Sequence, residues 1–369
     1  MSAQTMAPPY TRSLRCYLRP AIMVLGLVAI FYVFWFTSRY PSLFSKAAHL
    51  KAGDDVASMA YGSAKFKIDA SMPVYKQIFL SAVNWLDGMK VGMTFGVLFG
   101  AWLHTVLHYY PLRVGRNTYL NSITGAVIGA PMGVCANCSV PAACGLTRGR
   151  GRAELALGFL FSSPNFNPVV LAMTFTALPL RISLAKYGML LLIIAFVVPF
   201  TIRSVERKEG LIANADLDVD EPLIGAAAGA CDEPAGTQFV ELMKRYLQGV
   251  WMLAKPTLTL MVLASFVAAA LLILLPWPTL LADAGPLRLA VIGAISTFMP
   301  VPIALDVMFA AQLQRQGIDL SYVMLFALTL GTFSIVPFLY LYREISKRLA
   351  VTLALFIFGF GLLAAMLLV

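Results

Sequence analysis

The sequence predicts an all-α polytopic membrane protein: two inverted repeats, each with a re-entrant helical hairpin and an interrupted transmembrane helix, plus an extra N-terminal span. Three observations predict it. Of the 369 residues, 59% are hydrophobic and 12% charged, about half the charge that a water-facing domain carries. Runs such as "AIMVLGLVAIFYVFWF", "YGMLLLIIAFVVPF" and "TLMVLASFVAAALLILLP" approach or reach the roughly 20 apolar residues that cross a bilayer. They lack the in-out alternation of a closed barrel. Finally, apolar stretches interrupted by Gly, Pro and polar residues occur twice, in the same order.

Taken in order, the chain begins in the cytoplasm with Arg12, Arg15 and Arg19. A first span follows over about 20–38. It reads as uncleaved, because "FWFTSRYPS" lacks a small-x-small site. A polar external loop (39–76) leads into an amphipathic segment near 77–88. Span two (89–109) returns to Arg113 and Arg116. Residues 118–147 form two short apolar pieces broken at "GAPMGVCANCSVP". Neither piece crosses, so this is a hairpin that enters and leaves on the cytoplasmic side. The next span, 153–178, is interrupted at "SSPNFNP", and 187–202 returns to "TIRSVERKEG". A linker over 204–237, rich in Ala, Gly, Asp and Glu, has neither hydrophobicity nor periodicity. Span 253–275 exits. A second hairpin (287–314) breaks at "FMPVP", a broken span (320–342) carries "TLGTFSIVP", and a last span covers 349–368.

The chain thus divides into an N-terminal span and external loop (1–88), a first transmembrane repeat (89–203), a flexible cytoplasmic linker (204–237) and a second, inverted repeat (238–369). More Lys and Arg fall on the cytoplasmic side than outside, as the positive-inside rule requires for the inner membrane. The net charge of +10 belongs to that bias and implies no nucleic-acid partner. Five cysteines without an extracellular framework argue against a disulfide scaffold.

A shift of 167 residues, the interval from Met132 to Met299, aligns the two broken regions without a gap. Val134 falls on Val301, Ala143 on Ala310, Leu146 on Leu313 and Arg148 on Arg315. Phe159 falls on Phe326, Phe166 on Phe333 and Val169 on Val336. Three crossings per copy is an odd number, so the second copy is upside down. Inverted repeats with discontinuous helices are the architecture of secondary transporters. Non-helical backbone at membrane depth persists only where protein, water or a ligand satisfies its polar groups.

The stretch "CSVPAACGLTRGRGRAELALGFLFSSPNFNPVVL" resembles the signature of a predicted-permease family that includes the organoarsenical efflux permeases (ArsP/YraQ-type). The match is close over about 125–172 and looser over the second repeat. The resemblance implies a permease, with arsenical transport as one substrate class. Here the cysteines are spaced as CxxC where family members often carry tighter spacing, and the second repeat has "PVPIALD" in their place.

The polar residues at the breaks are the candidate site. Cys135 and Cys138 at the first hairpin tip suit a soft ion such as Cu(I), trivalent arsenic or Hg(II). They are too few for a closed zinc site. A redox couple and plain packing are the other readings of the pair, and Cys144 reads as core. Ser139 is placed to cap the returning arm, whose positive end faces the midplane. Ser162, Ser163, Asn165 and Asn167 flank the first span break, and Thr329, Thr332 and Ser334 flank the second. Each set either contacts the solute or repairs its own backbone. Asp306, a carboxylate inside the second hairpin, is assigned to coupling or a proton path, against a salt bridge with Arg315. His104 and His108 read as interfacial. Met132 and Met299 offer thioethers at the paired tips. Arg148, Arg150 and Arg152 are expected to hold their loop at the anionic membrane surface.

The expectation is therefore a non-enzymatic, secondary-type permease of the cytoplasmic membrane for a small soft or thiol-reactive solute. No cofactor is implied, and no phosphate-binding G-x-x-x-x-G-K-[ST] loop is present. Its partners are the solute or ion and the lipid bilayer. The sequence does not fix the oligomeric state. The alternatives are a membrane thiol oxidoreductase using the CxxC pair, and a permease for a small sulfur-containing anion.

Overall fold

The apolar run after Tyr17 folds as one long bent rod rather than a span and a loop. A computed structural model describes residues 17–52, 65–69, 71–110, 115, 117–149, 152–209 and 234–367. Helix α1 (Leu18–Phe34) passes through a π turn (Trp35–Arg39) into α2 (Tyr40–Ala52). Pro41 has no N–H to donate, and the π turn before it absorbs the missing bond, with the Tyr40 N–H reaching back to the Trp35 carbonyl. The expected external loop therefore begins as helix, and residues 53–64 lie outside the described part. Val24, Leu25 and Val28 are exposed on α1, as for a helix facing lipid.

Helix α3 (Val74–Tyr109) is continuous over 36 residues, about 54 Å at 1.5 Å per residue. The amphipathic segment and second span read from the sequence are one helix, because the only soft point near their junction, Gly88, is tolerated inside it. Two short pieces follow: α4 (Thr118–Gly129), capped by Asn117, and α5 (Ala136–Arg148). Between them lie a 3₁₀ turn and Gly133 at φ +60. Next come α6 (Ala153–Asn165) and α7 (Pro168–Ala177), bent by 50° at their junction. Helix α8 (Leu180–Leu192) continues through a second π turn, ahead of Pro199, into α9 (Val198–Glu209).

The second half opens with α10 (Ala235–Leu274), 40 residues long. The two long helices α9 and α10 extend into both ends of the predicted linker; residues 210–233 lie outside the described part. After a short α11 (Trp277–Leu280) come α12 (Pro286–Phe298) and α13 (Leu305–Arg315), then α14 (Leu320–Thr329), α15 (Ile335–Tyr340) and α16 (Lys347–Leu367). Ala304 at φ 64 and Gly331 at φ +76 sit at the two breaks. The order of the first half recurs: long helix, broken pair, broken pair, long helix. Helices start at Ala153 and Leu320, Pro168 and Ile335, Leu180 and Lys347, three pairs with the interval of the sequence alignment.

The described residues are helical, without strands. Five helical stretches are long and apolar enough to cross a membrane, and the bent α6–α7 pair is a sixth candidate. Helix α3 lies against α10, with Gly249 facing Ala101 and the Tyr246 hydroxyl donating to the Leu98 carbonyl. On its other side α3 meets α5 backbone to backbone. A Cβ on Gly96 would stand 2.1 Å from the Cys138 carbonyl oxygen, and one on Gly100 2.2 Å from that of Pro141. Small residues permit this close approach where lipid supplies no hydrophobic drive.

Candidate functional site

The four breaks meet at the centre of the molecule. Every residue read from the sequence as a site candidate is buried: Cys135, Cys138, Ser139, Ser162, Ser163, Asn165, Asn167, Asp306, Thr329, Thr332 and Ser334. Buried polar groups need partners, and those partners sort the candidates into two kinds.

Some repair their own helices. Ser162 donates to the Phe159 carbonyl, Asn165 to that of Phe161, Thr329 to that of Leu325 and Thr332 to that of Leu328. Thr329 also bonds Ser296 at 2.6 Å, which ties the second hairpin to the second broken span. Ser139 is not the cap of α5. That helix starts at Ala136, with Cys135, four residues before Ser139, as its cap and the Cys135 Sγ accepting the Cys138 N–H at 3.3 Å. The Ser139 hydroxyl turns back to the Ala136 carbonyl instead.

Others reach across the gaps. Asn137, between the two cysteines, accepts from the Ser334 hydroxyl at 2.5 Å and donates to the Val301 carbonyl at 3.4 Å. One side chain of the first hairpin tip thereby joins the second broken span to the second hairpin tip. Ser163 leans on the Val134 carbonyl. Asn167 caps α7 through its oxygen, which accepts the Val169 N–H at 3.1 Å. Its amide nitrogen is buried without a partner and stands 2.8 Å from the position of a Cβ on Gly133. Trp85, from the part of α3 that precedes the hairpins, donates its ring N–H to the Pro300 carbonyl at 3.1 Å.

Cys135 and Cys138 are paired as a disulfide, with their Cα atoms 5.2 Å apart. Met89 on α3 places its sulfur 3.8 Å from the Cys135 Sγ. Met89, which the sequence did not single out, is thus a thioether beside the pair. Among the described residues, no group of three His, Cys, Asp or Glu side chains converges as a metal site.

Asp306 forms a buried ion pair with Lys186 on α8. The Lys186 ammonium, 0% exposed, also donates to the Ala327 carbonyl at 3.0 Å. Arg315, the partner weighed from the sequence, instead donates to the Leu50 carbonyl of α2. The same helix supplies Lys46, which donates to the Ile303 carbonyl at 3.0 Å. The arginines after the first hairpin make protein contacts. Arg148 grips Glu344 with two bonds at 3.0 and 2.7 Å, and Arg152 holds Glu154 at 2.5 Å. Arg150 lies outside the described residues. His104 is half-buried and His108 exposed on α3.

Two cavities of about 330 Å³ each flank this crossing. One is lined by Trp85, Trp277, Met299, Val301 and Leu330. The other is lined by Val140, Cys144, Arg148, Val336 and Tyr340. The Asn137 cluster lies between them: Val301 belongs to the first, while Val140 and Val336 belong to the second.

Lys186, Asn137, Met89, Lys46 and Trp85 were not identified in the sequence. Lys186 carries a signal, being a cation only six residues into α8, but next to Arg181 it reads as an interfacial charge. A family model described as a predicted permease (ArsP_1) matches residues 92–369. No curated protein matches the chain, and no solved structure matches it.

Proposed function

The chain belongs to this predicted permease family, and from that premise we propose that it moves a small soft or thiol-reactive solute, a metalloid, organoarsenical or soft metal ion, across the cytoplasmic membrane by alternating access. The observation that carries the reading is the pair of cavities linked through one polar cluster: Asn137 and Ser334 bond each other and reach Val301 on one wall and Val336 on the other. A carrier needs two vestibules and a barrier that few bonds hold, so that the barrier can reform on the other side.

The recurrence of helix starts favours two copies of one unit, and the odd number of crossings in each makes them antiparallel. Rocking of one copy against the other would then exchange the open vestibule. Asp306 and Lys186 join the copies and supply the coupling element. A proton or solute that neutralises one member weakens the bond across the interface.

The soft-solute part rests on Cys135, Cys138 and the Met89 thioether, three sulfur atoms at one hairpin tip. The capturing form is the dithiol, reached when two equivalents of a small thiol reduce the Cys135–Cys138 bond and leave as their own disulfide; it offers thiolates to a thiophilic centre. Saturable uptake or efflux of arsenite or Cu(I) in liposomes, lost in Cys135→Ser/Cys138→Ser, tests this. Full transport by that variant for every soft solute would make the sulfurs structural.

The joined sulfurs favour one second reading, a thiol oxidoreductase. The pair is only 1–2% exposed, so its reductant would be a small thiol rather than a protein. Maleimide labelling before and after treatment with such a thiol separates the two readings, because an oxidoreductase pair must cycle.

A further inference from the structure

The charge of the solute is open in the permease reading, and the N-terminal helix bears on it. Helix α2 precedes the residues that match the family, yet it lies across both hairpin tips. Arg39, which ends the π turn before it, and its own Leu43, Lys46 and Leu50 recur at helical spacing on one face. Leu43, 0% exposed, reaches Gly133 at the first tip. Lys46 bonds the Ile303 carbonyl at the second. A Cβ on Gly92 would stand 2.8 Å from Arg39 Nη2 and 3.0 Å from Cys138 Sγ, so the guanidinium lies beside the cysteine pair.

Among the described residues, the charges at the tips do not balance. Among the described residues, the carboxylate acting on Lys46 is Asp306, and Lys186 already holds it. Asp87, lower on α3, is engaged by Lys90. Arg39 makes no ion pair among the described residues, and its Nε is buried without an acceptor. Arg39 lies over the Phe34 ring and, like Lys46, is half-buried; these two cations, in excess among the described residues, favour a negative partner. Two further donors lie at the first tip. The Asn167 amide, fully buried, is aimed at Gly133. The first turn of α5, thirteen residues long, presents the positive end of a helix there.

We propose that Arg39, Lys46 and the Asn167 amide form, with the first turn of α5, a binding site for a small oxyanion, which is the charged form in which this permease takes its solute. The inference rests on the permease reading and narrows it. A bare cation such as Cu(I) meets a repulsive site, and an uncharged solute leaves the excess charge unmet. The N-terminal helix thereby becomes part of the selectivity filter.

The experiment uses the full chain in detergent and in liposomes, with sulfate, thiosulfate and arsenate as anionic probes. Arsenite, uncharged at neutral pH, and Cu(I) are the comparison solutes. At least one oxyanion is expected to raise the unfolding temperature and to be taken up saturably. Arg39→Gln and Lys46→Gln are each expected to weaken its binding about tenfold or more, the scale of one charged hydrogen bond. Lys46→Arg restores it, and the exposed Lys90→Gln leaves it unchanged. Movement of arsenite or Cu(I) with no response to any oxyanion overturns the anion site and leaves the permease standing. Oxyanion binding indifferent to both Gln variants also overturns it. An oxyanion that stabilises the protein but is never moved overturns the permease reading alone. No binding and no movement of any probe sinks both.

Discussion

The ammonium of Lys186 on α8 is bonded to the carboxylate of Asp306 on α13, at positions 120 residues apart, and both are buried. Two charges at this depth stand only because each neutralises the other and Lys186 has the Ala327 carbonyl as a second acceptor. Removing one partner leaves the other charged and dry. Asp306→Asn is therefore expected to cost about 3–5 kcal/mol of stability, read from denaturant unfolding in detergent. The double variant Lys186→Met/Asp306→Leu regains most of that loss. Equal stability of Asp306→Asn and the parent would show the pair to be dispensable.

In the proposed carrier, the barrier between the cavities hangs on Asn137. The Ser334 hydroxyl donates to its carbonyl oxygen and its amide donates to Val301. Asn137→Ala and Ser334→Ala are predicted to be coupled by about 0.5–1.5 kcal/mol in a double-mutant cycle. Each single variant shifts access toward the cavity lined by Val140 and Val336, measurable as faster labelling of Cys144 on its wall. Additive energies with unchanged labelling would place the barrier elsewhere.

The α3–α5 seam makes a steric prediction. Gly96→Ala drives a methyl group into the Cys138 carbonyl, and overpacking of this kind costs about 1–3 kcal/mol. Gly188→Ala on α8 meets nothing within 4 Å. It should be neutral or stabilising by up to about 1 kcal/mol, through helix propensity alone. Comparing the two unfolding temperatures checks the seam directly.

For the cysteines, mass spectrometry after alkylation under native conditions is expected to leave Cys135 and Cys138 unmodified until reduction. Met89→Leu removes the neighbouring thioether. It is predicted to weaken the binding of arsenite, used as a dithiol probe, to the reduced protein several-fold without changing its stability by more than about 1 kcal/mol, since Leu and Met have similar volume.

What the sequence disclosed follows from what a break in a helix looks like. Gly133, Pro168, Pro300, Pro302 and Gly331 interrupt a regular ladder, so the four interruptions were legible; the caps at Asn167 and Ser334 were not, since those residues read only as solute contacts or backbone repair. The length of α3 was not. The polar residues at Asn84, Asp87 and Lys90 resemble a span boundary, yet Asn84 is buried and bonded to the backbone of Phe66. Lys186 and Lys46 were missed because a lysine beside an apolar run looks like an interfacial anchor, and only the fold brings each to a hairpin from the other half or from outside it. Asn137 was hidden by its neighbours: between two cysteines an amide draws no notice, although it makes the contact that joins three elements. The Ser and Thr hydroxyls around the breaks divided according to whether a carbonyl of their own turn lay within reach, which no spacing reveals.

The order in which the ribosome delivers these partners has a consequence for biogenesis. Lys186 enters the membrane roughly 6–24 s before Asp306 exists, at translation rates of about 5–20 residues per second. Over that interval α8 carries a bare ammonium that the finished protein never exposes. The nascent first half must wait at the lipid surface, or be sheltered by the insertion machinery, until α13 arrives. Truncation after the linker should therefore yield a fragment that the cell clears, even though it contains the whole cysteine motif.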